Sequence, residues 1–229
     1  MKQLFHGKHF DMIHDGQDYV AREVMKSPDH FFDNFLRITY DALIRPGDTV
    51  VEVGAHIGTH TLYLAKKARW VHAFEPQPQL FLNLCANLCW NDCQNVTPYQ
   101  KACMATPGWL KADVSVSNYA VPDWNKASIS FSASFEAKDF LRVWAAKLDD
   151  HDFGKVDFIK IDAEGHDWDV AQGGRDMIVR DRPFIVFEDN ARQLAQWVEW
   201  LQPLDYTTVV LAENNYAMLP NERAAALKP

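Results

Sequence analysis

Two glycines and an acidic residue mark the first place in this sequence where chemistry could occur. Gly54 and Gly58 follow the apolar run 49–53, which contains Glu52. Glycines at a strand-to-helix junction allow a tight turn and a close approach of the backbone to a ligand. The GxxxG spacing lacks the denser GxGxxG pattern of dinucleotide sites, so it favours a nucleoside without phosphate groups. Glu52 would repel a phosphate and attract an ammonium or sulfonium group.

A second acid follows the next predicted strand. Glu75 lies 21 residues after Gly54, and an acid at about 20 residues from a glycine loop binds the ribose hydroxyls in nucleotide folds. Both oxygens of its carboxylate can accept a hydroxyl proton. The alternative is an exposed acid ahead of Pro76, favourable near a helix N-terminus. Together the two features favour nucleoside binding.

A third group of polar residues directly follows a predicted hydrophobic strand. It contains Asp162, Glu164 and His166. Burying such groups without partners is costly, so we expect them to face a wet cleft, a cationic ligand, a substrate proton or a metal. A helix N-cap explains only one of the acids. For residues 188–190, a helix cap and a functional role are equally favoured.

Apolar runs and helical periodicities alternate through the rest of the chain. Strands are predicted at residues 49–53, 70–74, 96–102, 156–161, 183–188, 207–211 and 216–219, and helices at 57–68, 76–90, 167–179 and 191–201. This order predicts an α/β fold with a mainly parallel sheet, helices on both faces and a C-terminal hairpin. We expect one domain over residues 1–229, with a helical cap over 1–45 and irregular strands and loop over 106–144.

The composition of the chain limits the classes of partner that we expect it to bind. The 229-residue chain carries a formal net charge of −8, which argues against a nucleic-acid partner because phosphate binding needs a basic surface. No apolar run of about 18 residues and no signal-peptide pattern is visible, so no membrane association is expected. Cys85, Cys89 and Cys93 recur every four residues and are expected to be reduced thiols in a cytoplasmic protein. The sequence does not indicate an oligomeric state.

Several stretches of the chain resemble one enzyme family. The pieces are VVEVGAHIGTHTLYLA, AFEP, NVTPYQKAC, VDFIKIDAEGHDWDVAQGG and PFIVFEDN, which lie between residues 46 and 190. They resemble the FkbM family of S-adenosylmethionine-dependent methyltransferases, and the IKIDAEG element is the most distinctive of them. The resemblance implies the class I methyltransferase Rossmann-like fold, with seven strands and one antiparallel strand in the C-terminal hairpin.

The resemblance also implies roles for individual residues. The methionine part of S-adenosylmethionine would be held by Glu52, Val53, Gly54, Ala55, His56 and Gly58. Glu75 with Pro76 would bind the ribose, and Lys101 and Ala102 would lie near the adenine. Asp162 would line the amino-acid end of the cofactor, and Glu164 and His166 would face the methyl acceptor. S-adenosylhomocysteine would be the product.

The implied reaction is methylation of a hydroxyl on a small-molecule natural product or a saccharide. The candidate catalytic residues are His166, Glu164 and Asp162, and histidine is the better base on intrinsic grounds because it is partly neutral near pH 7. A divalent metal held by Asp162, Glu164, His166 and Asp189 is an alternative that is not expected. The rival functions are a nicotinamide-dependent oxidoreductase, disfavoured by the missing GxGxxG, and a non-catalytic nucleoside-binding domain, disfavoured by the acid and imidazole cluster.

Overall fold

The N-terminal segment combines a hairpin with two helices. The computed structural model describes residues 3–14, 18–27, 29, 31–113, 132, 140–189 and 193–225, so Asn190 and much of the irregular block 106–144 lie outside the described residues. Its first elements are the strands β1 (Gln3–His6) and β2 (Asp11–His14) and the helices α1 (Tyr19–Lys26) and α2 (Asn34–Leu43). The segment expected to be a helical cap therefore begins with an antiparallel hairpin.

The remaining strands and helices lie from residue 49 onward. They are β3 (Thr49–Val53), α3 (Thr59–Lys67), β4 (Trp70–Phe74), α4 (Pro78–Trp90), β5 (Val96–Tyr99), β6 (Ala102–Cys103), β7 (Gly108–Asp113), β8 (Phe140–Ala146), β9 (Phe158–Ile161), α5 (Asp167–Gly173), α6 (Arg175–Asp181), β10 (Phe184–Glu188), α7 (Leu194–Leu201), β11 (Tyr206–Ala212), β12 (Asn215–Pro220) and α8 (Asn221–Ala224). Strands alternate with helices from β3 to β5 and again from β9 to β11, and the strands β6, β7 and β8 lie between these two stretches. Among the helices of these described residues, none is both long enough and apolar enough to cross a bilayer.

A seven-stranded sheet forms the centre of the molecule. Its strand order is β11-β12-β10-β9-β3-β4-β5, and only β12 runs against both of its neighbours. The order reverses between β3 and β9, because β4 and β5 extend the sheet on one side and β10 on the other. The predicted α/β fold, with its mainly parallel sheet and C-terminal hairpin, is confirmed.

Apolar layers cover both faces of this sheet. Side chains alternate between faces along a strand, so Val50 packs into the layer with α2, α3 and α4. Val51 and Val53 pack into the opposite layer with α5, α6 and α7. Glu52 shares the face of Val50, which brings this acid under α3 rather than toward solvent.

Several element boundaries differ from the sequence prediction, most clearly those of two helices. The helix expected to begin at Pro76 begins at Pro78, because the Glu75 carboxylate accepts the backbone N–H of Gln77 and holds that residue extended. The helix expected over 167–179 is interrupted at Gly174 and becomes α5 and α6. In the irregular block, β7 and β8 join β6 in a separate three-stranded sheet of order β6-β8-β7.

Gly54, which directly follows β3, lies against the backbone of Asp162, which directly follows β9. Its φ of +80° is unfavourable for other residues, and a Cβ would lie 1.9 Å from the backbone oxygen of Asp162. We expect Gly54→Ala to lower the free energy of unfolding by at least about 2 kcal/mol, from the steric overlap and the left-handed backbone.

Gly47→Ala is the control, because a Cβ there meets nothing within 4 Å. Urea denaturation of both variants checks the expectation. Equal midpoints for the two variants would show that the junction relaxes without cost.

Candidate active site

One cavity lies beyond the carboxyl ends of the central strands. It has a volume of about 400 Å³, within the range of small-molecule sites. Its walls come from the loops after β3, β4, β9 and β10, from residues after β5, and from the N-terminal segment. Of the residues predicted from sequence, those lining it are Val53, Gly54, Ala55, His56, Glu75, Pro76, Lys101, Ala102, Asp162, Glu164 and His166.

The loop after β3 is fixed by its own backbone. The N–H groups of Gly54 and Ala55 both donate to the carbonyl of Phe74, at 3.0 and 2.9 Å. His56 follows with a φ of +53°, a left-handed conformation that is uncommon for residues other than glycine, although asparagine, aspartate and histidine adopt it more often than the rest. The loop therefore turns its next backbone N–H, that of His56, toward the end of β4.

Glu75 receives that N–H. Its Oε2 accepts from the His56 backbone at 2.9 Å, and its Oε1 accepts from the Gln77 backbone at 2.8 Å. Burial raises the pKa of this carboxyl, although the nearby His56 acts in the opposite direction. Each carboxylate oxygen keeps a second lone pair, so Glu75 is a held acceptor at the cavity wall and not an exposed acid.

Glu52 lies behind the cavity wall rather than on it. The side chain is fully buried, and its Oε2 accepts a hydrogen bond from the Thr61 hydroxyl at 2.6 Å. Burial raises its pKa to about 6, although Lys160 lowers it. Glu52 thus has its partners inside the protein. It does not line the cavity in which we expected it to contact a cofactor.

Gly58 also lies outside the cavity wall. A Cβ at this position would meet the Leu84 side chain of α4 at 2.8 Å, and its φ is +94°. The absence of a side chain at Gly58 serves the packing of α3 against α4, which differs from the close approach to a ligand that the GxxxG spacing suggested. The cause is that Gly58 caps the N-terminus of α3 from the side that faces α4.

Lys160 is a site residue to which sequence analysis assigned no role. It is buried in β9, and its ammonium donates to the Gly54 carbonyl and to Asp162 Oδ2, both at 3.2 Å. Glu52 Oε1 lies 4.0 Å away, and Glu52 and Lys160 are register partners on neighbouring strands. Burial disfavours the charge, but these two acids raise the lysine pKa. A lysine within an otherwise apolar four-residue strand was the available signal.

The loop after β9 presents the predicted catalytic group. Asp162, Glu164 and His166 all line the cavity, as expected from their positions. Glu164 has a φ of +50° and is followed by Gly165 at +90°, so the backbone folds back and turns the side chains of the loop inward. Burial and the neighbouring Asp162 raise the pKa of Glu164, which suits a group that exchanges a proton near neutral pH.

Residues of the N-terminal segment form another part of the cavity wall. Val20, Phe32 and Asp33 line the cavity, although no sequence pattern singled them out. Asp33 precedes α2 with a φ of +52° and makes no side-chain capping bond. Burial and the nearby Asp162 raise its pKa to about 6. Asp33 therefore faces the cavity with a side chain that does not cap the helix and a backbone conformation that is uncommon.

Asp189 belongs to a helix cap. Its two carboxylate oxygens accept the backbone N–H groups of Gln193 and Leu194, at 2.6 and 2.8 Å. These bonds correspond to the helix-cap alternative for residues 188–190. Asp189, one of the four side chains considered as metal ligands, therefore already accepts hydrogen bonds from the backbone. Within the described ranges, no cluster of three histidine, cysteine or acidic side chains is arranged to hold a metal ion.

Comparison with known families identifies this arrangement. Residues 52–208 match the model of the methyltransferase FkbM domain, which is more than half of the chain. The chain belongs to the FkbM methyltransferase family. The match begins at Glu52, and it contains the glycine loop, Glu75 and the loop after β9. It leaves out the N-terminal segment that carries Asp33. No curated protein matches the chain.

Solved structures share the fold of this FkbM-family protein at low sequence identity. A methyltransferase FkbM from Methylobacillus flagellatus KT has a TM-score of 0.53 and 13% identity, with 87% of this chain and 57% of the other covered. This chain therefore spans little more than half the length of that protein. A putative rRNA methylase from Clostridium thermocellum has a TM-score of 0.51 and 13% identity, with 82% and 94% covered.

A third similar structure was solved with a ligand. It is the Pyrococcus abyssi tRNA (uracil-54, C5)-methyltransferase in complex with S-adenosyl-L-homocysteine, with a TM-score of 0.51 and 13% identity. The match covers 95% of this chain and 43% of the other. At these identities the likeness concerns the fold, which is that of class I methyltransferases.

The protonation of Asp33 is directly measurable. We expect its carboxyl to titrate near pH 6, because burial raises its pKa to about 6. It would be protonated below that pH and a carboxylate above it. NMR of protein labelled with 13C at aspartate carboxyls follows the titration, and Asp33→Asn assigns the signal by removing it. A midpoint below pH 4 would contradict the buried position.

Proposed function

We propose that this FkbM-family protein is an S-adenosylmethionine-dependent methyltransferase that methylates a hydroxyl on a small molecule or a saccharide. The observation that carries the proposal is the carboxylate of Glu75, which directly follows β4 and is held at the cavity wall by two backbone N–H groups, one of them from the glycine loop. A carboxylate fixed in this way can accept both hydroxyls of a ribose.

The donor set of the cavity fits this cofactor. Among the described residues, the charged side chains on the wall are Asp33, Glu75, Asp162, Glu164, Glu188, Lys101 and Lys160. Acids outnumber lysines, which favours a ligand that carries sulfonium and ammonium groups over one that carries phosphates. In the proposed arrangement Glu75 binds the ribose, Lys101 and Ala102 lie beside the base, and Asp162 with the loop after Val53 binds the amino-acid end.

The chemistry divides between cofactor and protein. When bound, S-adenosylmethionine supplies a methyl group made electrophilic by a positively charged sulfur. The chain must then align the acceptor oxygen, exclude water and take up the hydroxyl proton. His166 or Glu164 takes that proton in our proposal, because both line the cavity on the loop after β9. Asp162 orients ligands instead, since Lys160 already holds one of its oxygens.

The acidic cavity also bears on the class of acceptor. Some proteins with this fold are rRNA or tRNA methylases by their names, so an RNA acceptor is the main alternative to a small molecule. The formal net charge of −8 and the surplus of acids on the cavity wall repel a polyanion. We therefore propose an uncharged or cationic hydroxyl compound, and filter binding with labelled tRNA and rRNA tests the alternative directly.

Replacing Glu75 tests cofactor binding. Glutamine has one carbonyl oxygen, so in Glu75→Gln either His56 or Gln77 loses the acceptor for its backbone N–H. In the proposed complex one ribose hydroxyl also loses its charged acceptor, and a hydrogen bond to a charged group is worth about 1.5–3 kcal/mol, so we expect S-adenosylhomocysteine to bind about ten- to a hundredfold more weakly. Isothermal titration calorimetry measures the affinity.

The matched control is Glu199→Gln, an exposed position on α7, which should bind as tightly as the unaltered protein. NAD titrated into the unaltered protein serves as a second control, because an oxidoreductase would bind it. Tight NAD binding without S-adenosylhomocysteine binding would refute the proposal.

Replacing the candidate bases tests the chemistry. A positioned base contributes typically 10²–10⁴-fold to a rate, so we expect His166→Ala or Glu164→Gln to lower kcat by at least about 10²-fold. Formation of S-adenosylhomocysteine is followed with a panel of hydroxylated saccharides and aromatic alcohols. Unchanged kcat in both variants would exclude both residues as the base. Dialysis of the unaltered enzyme against EDTA examines the metal alternative in the same assay.

A further inference from the structure

A buried ion pair connects the N-terminal segment to the glycine loop. His56 Nε2 lies 3.3 Å from Asp18 Oδ2, and the side chains are 10% and 4% exposed. The other oxygen of Asp18 accepts the backbone N–H of Ala21 at 2.9 Å and so caps α1. One carboxylate thus fixes the start of α1 and reaches the loop that follows β3.

The backbone of His56 is in an uncommon conformation, which contacts of its side chain can help to maintain. Its φ of +53° lies in the left-handed region, where the Cβ comes close to the following carbonyl oxygen at a cost of roughly 1–2 kcal/mol. In this conformation its N–H points at Glu75 Oε2, at 2.9 Å. Any contact that holds the imidazole in place therefore also holds a donor to the carboxylate that we assign to ribose binding.

We propose that Asp18 is a positioning residue for the cofactor. It pairs with the His56 imidazole, keeps the backbone of His56 left-handed, and thereby fixes the orientation of the Glu75 carboxylate. The part that concerns the cofactor rests on the proposed function. The coupling from Asp18 through His56 to Glu75 concerns the protein alone and can be measured without a ligand.

The charges around His56 support a true ion pair. The groups facing it from the neighbouring elements are Asp18, Glu75, Asp162, Glu164 and His60. Burial disfavours the imidazolium, but Asp18 and then the other acids outweigh it and raise the His56 pKa. The charged pair is present below that pKa and is lost as the pH rises through it.

Amide exchange in a set of four proteins tests the coupling. The proteins are unaltered, Asp18→Asn, His56→Asn and the double variant. Asparagine at 18 keeps an oxygen that can cap α1 but removes the charge, and asparagine at 56 tolerates the left-handed backbone without an ion pair. Hydrogen exchange of the amide at position 56 is measured by NMR in the ligand-free state.

We expect Asp18→Asn to speed exchange at position 56 at least about tenfold, and to change it less than about twofold when residue 56 is already asparagine. The 15N signals of the His56 ring should report a lower titration midpoint in Asp18→Asn. Asp41→Asn is the control, because it removes a carboxylate of the same segment that pairs with Lys67 instead. It should leave the exchange at position 56 unchanged.

Calorimetry with S-adenosylhomocysteine then connects the pair to the cofactor. We expect Asp18→Asn to weaken binding about tenfold with His56 present, and the effect to shrink in the His56→Asn background. Unchanged exchange at His56 in Asp18→Asn would overturn the inference, and so would an equal loss in both backgrounds, which would indicate an effect through α1 alone. If the unaltered protein fails to bind S-adenosylhomocysteine, the proposed function fails while the exchange data still decide the coupling.

Discussion

The site depends on the hydrogen bonds and ion pairs made by the buried ammonium group of Lys160. This group lies in the middle of the sheet, and it joins the carbonyl of Gly54 to the carboxylate of Asp162. Gly54 belongs to the loop after β3 and Asp162 to the loop after β9. The two loops can lie this close because Gly54 has no side chain. A buried lysine without acids would lose its proton, and buried acids without a cation would gain one. Glu52 and Asp162 raise the pKa of Lys160, and Lys160 in turn opposes the rise that burial causes in the pKa of Glu52.

The position of the cavity follows from the order of the strands. β3 and β9 are neighbours, but the chain leaves β3 toward β4 and leaves β9 toward β10. The loops after the two strands consequently diverge and open a crevice at the carboxyl edge of the sheet. Lys160 closes the bottom of this crevice, the glycine loop and Glu75 form one side, and Glu164 and His166 form the other. The same geometry explains why acids from distant parts of the sequence meet.

The sequence predicted well those features that depend on local pattern. The apolar runs located β3 and β4 at their observed residues, because a strand buried on both faces is a short continuous apolar stretch. Glu75 and the loop after β9 were found because polar residues directly after such strands meet at one edge. The start of α4 was missed because Glu75, not Pro76, decides where the helix can begin.

Features that depend on tertiary contacts could not be predicted from pattern. An acid inside a buried strand can face either layer, so nothing in the run 49–53 indicated that Glu52 points under α3 to Thr61. Gly58 was assigned to a ligand because the glycine spacing does not reveal the partner, which is Leu84. Asp18 and Asp33 follow no motif at all. Their roles arise only when the N-terminal segment folds over the carboxyl edge of a sheet formed by residues beyond position 49.

Two parts of the chain build the cavity wall, and only one of them falls within the family match. The region that matches the family model begins at Glu52 and contains the glycine loop, Glu75, Lys160 and the loop after β9. The wall that carries Val20, Phe32 and Asp33 lies before that region. A ligand common to the family requires contacts within the matched region, whereas the wall formed by the N-terminal segment can differ between members. The solved FkbM structure is 13% identical to this chain, so what the two share is the fold. In this chain the loop after β3, at the carboxyl edge of that fold, is held by backbone hydrogen bonds to Phe74, which tolerate changes of side chain.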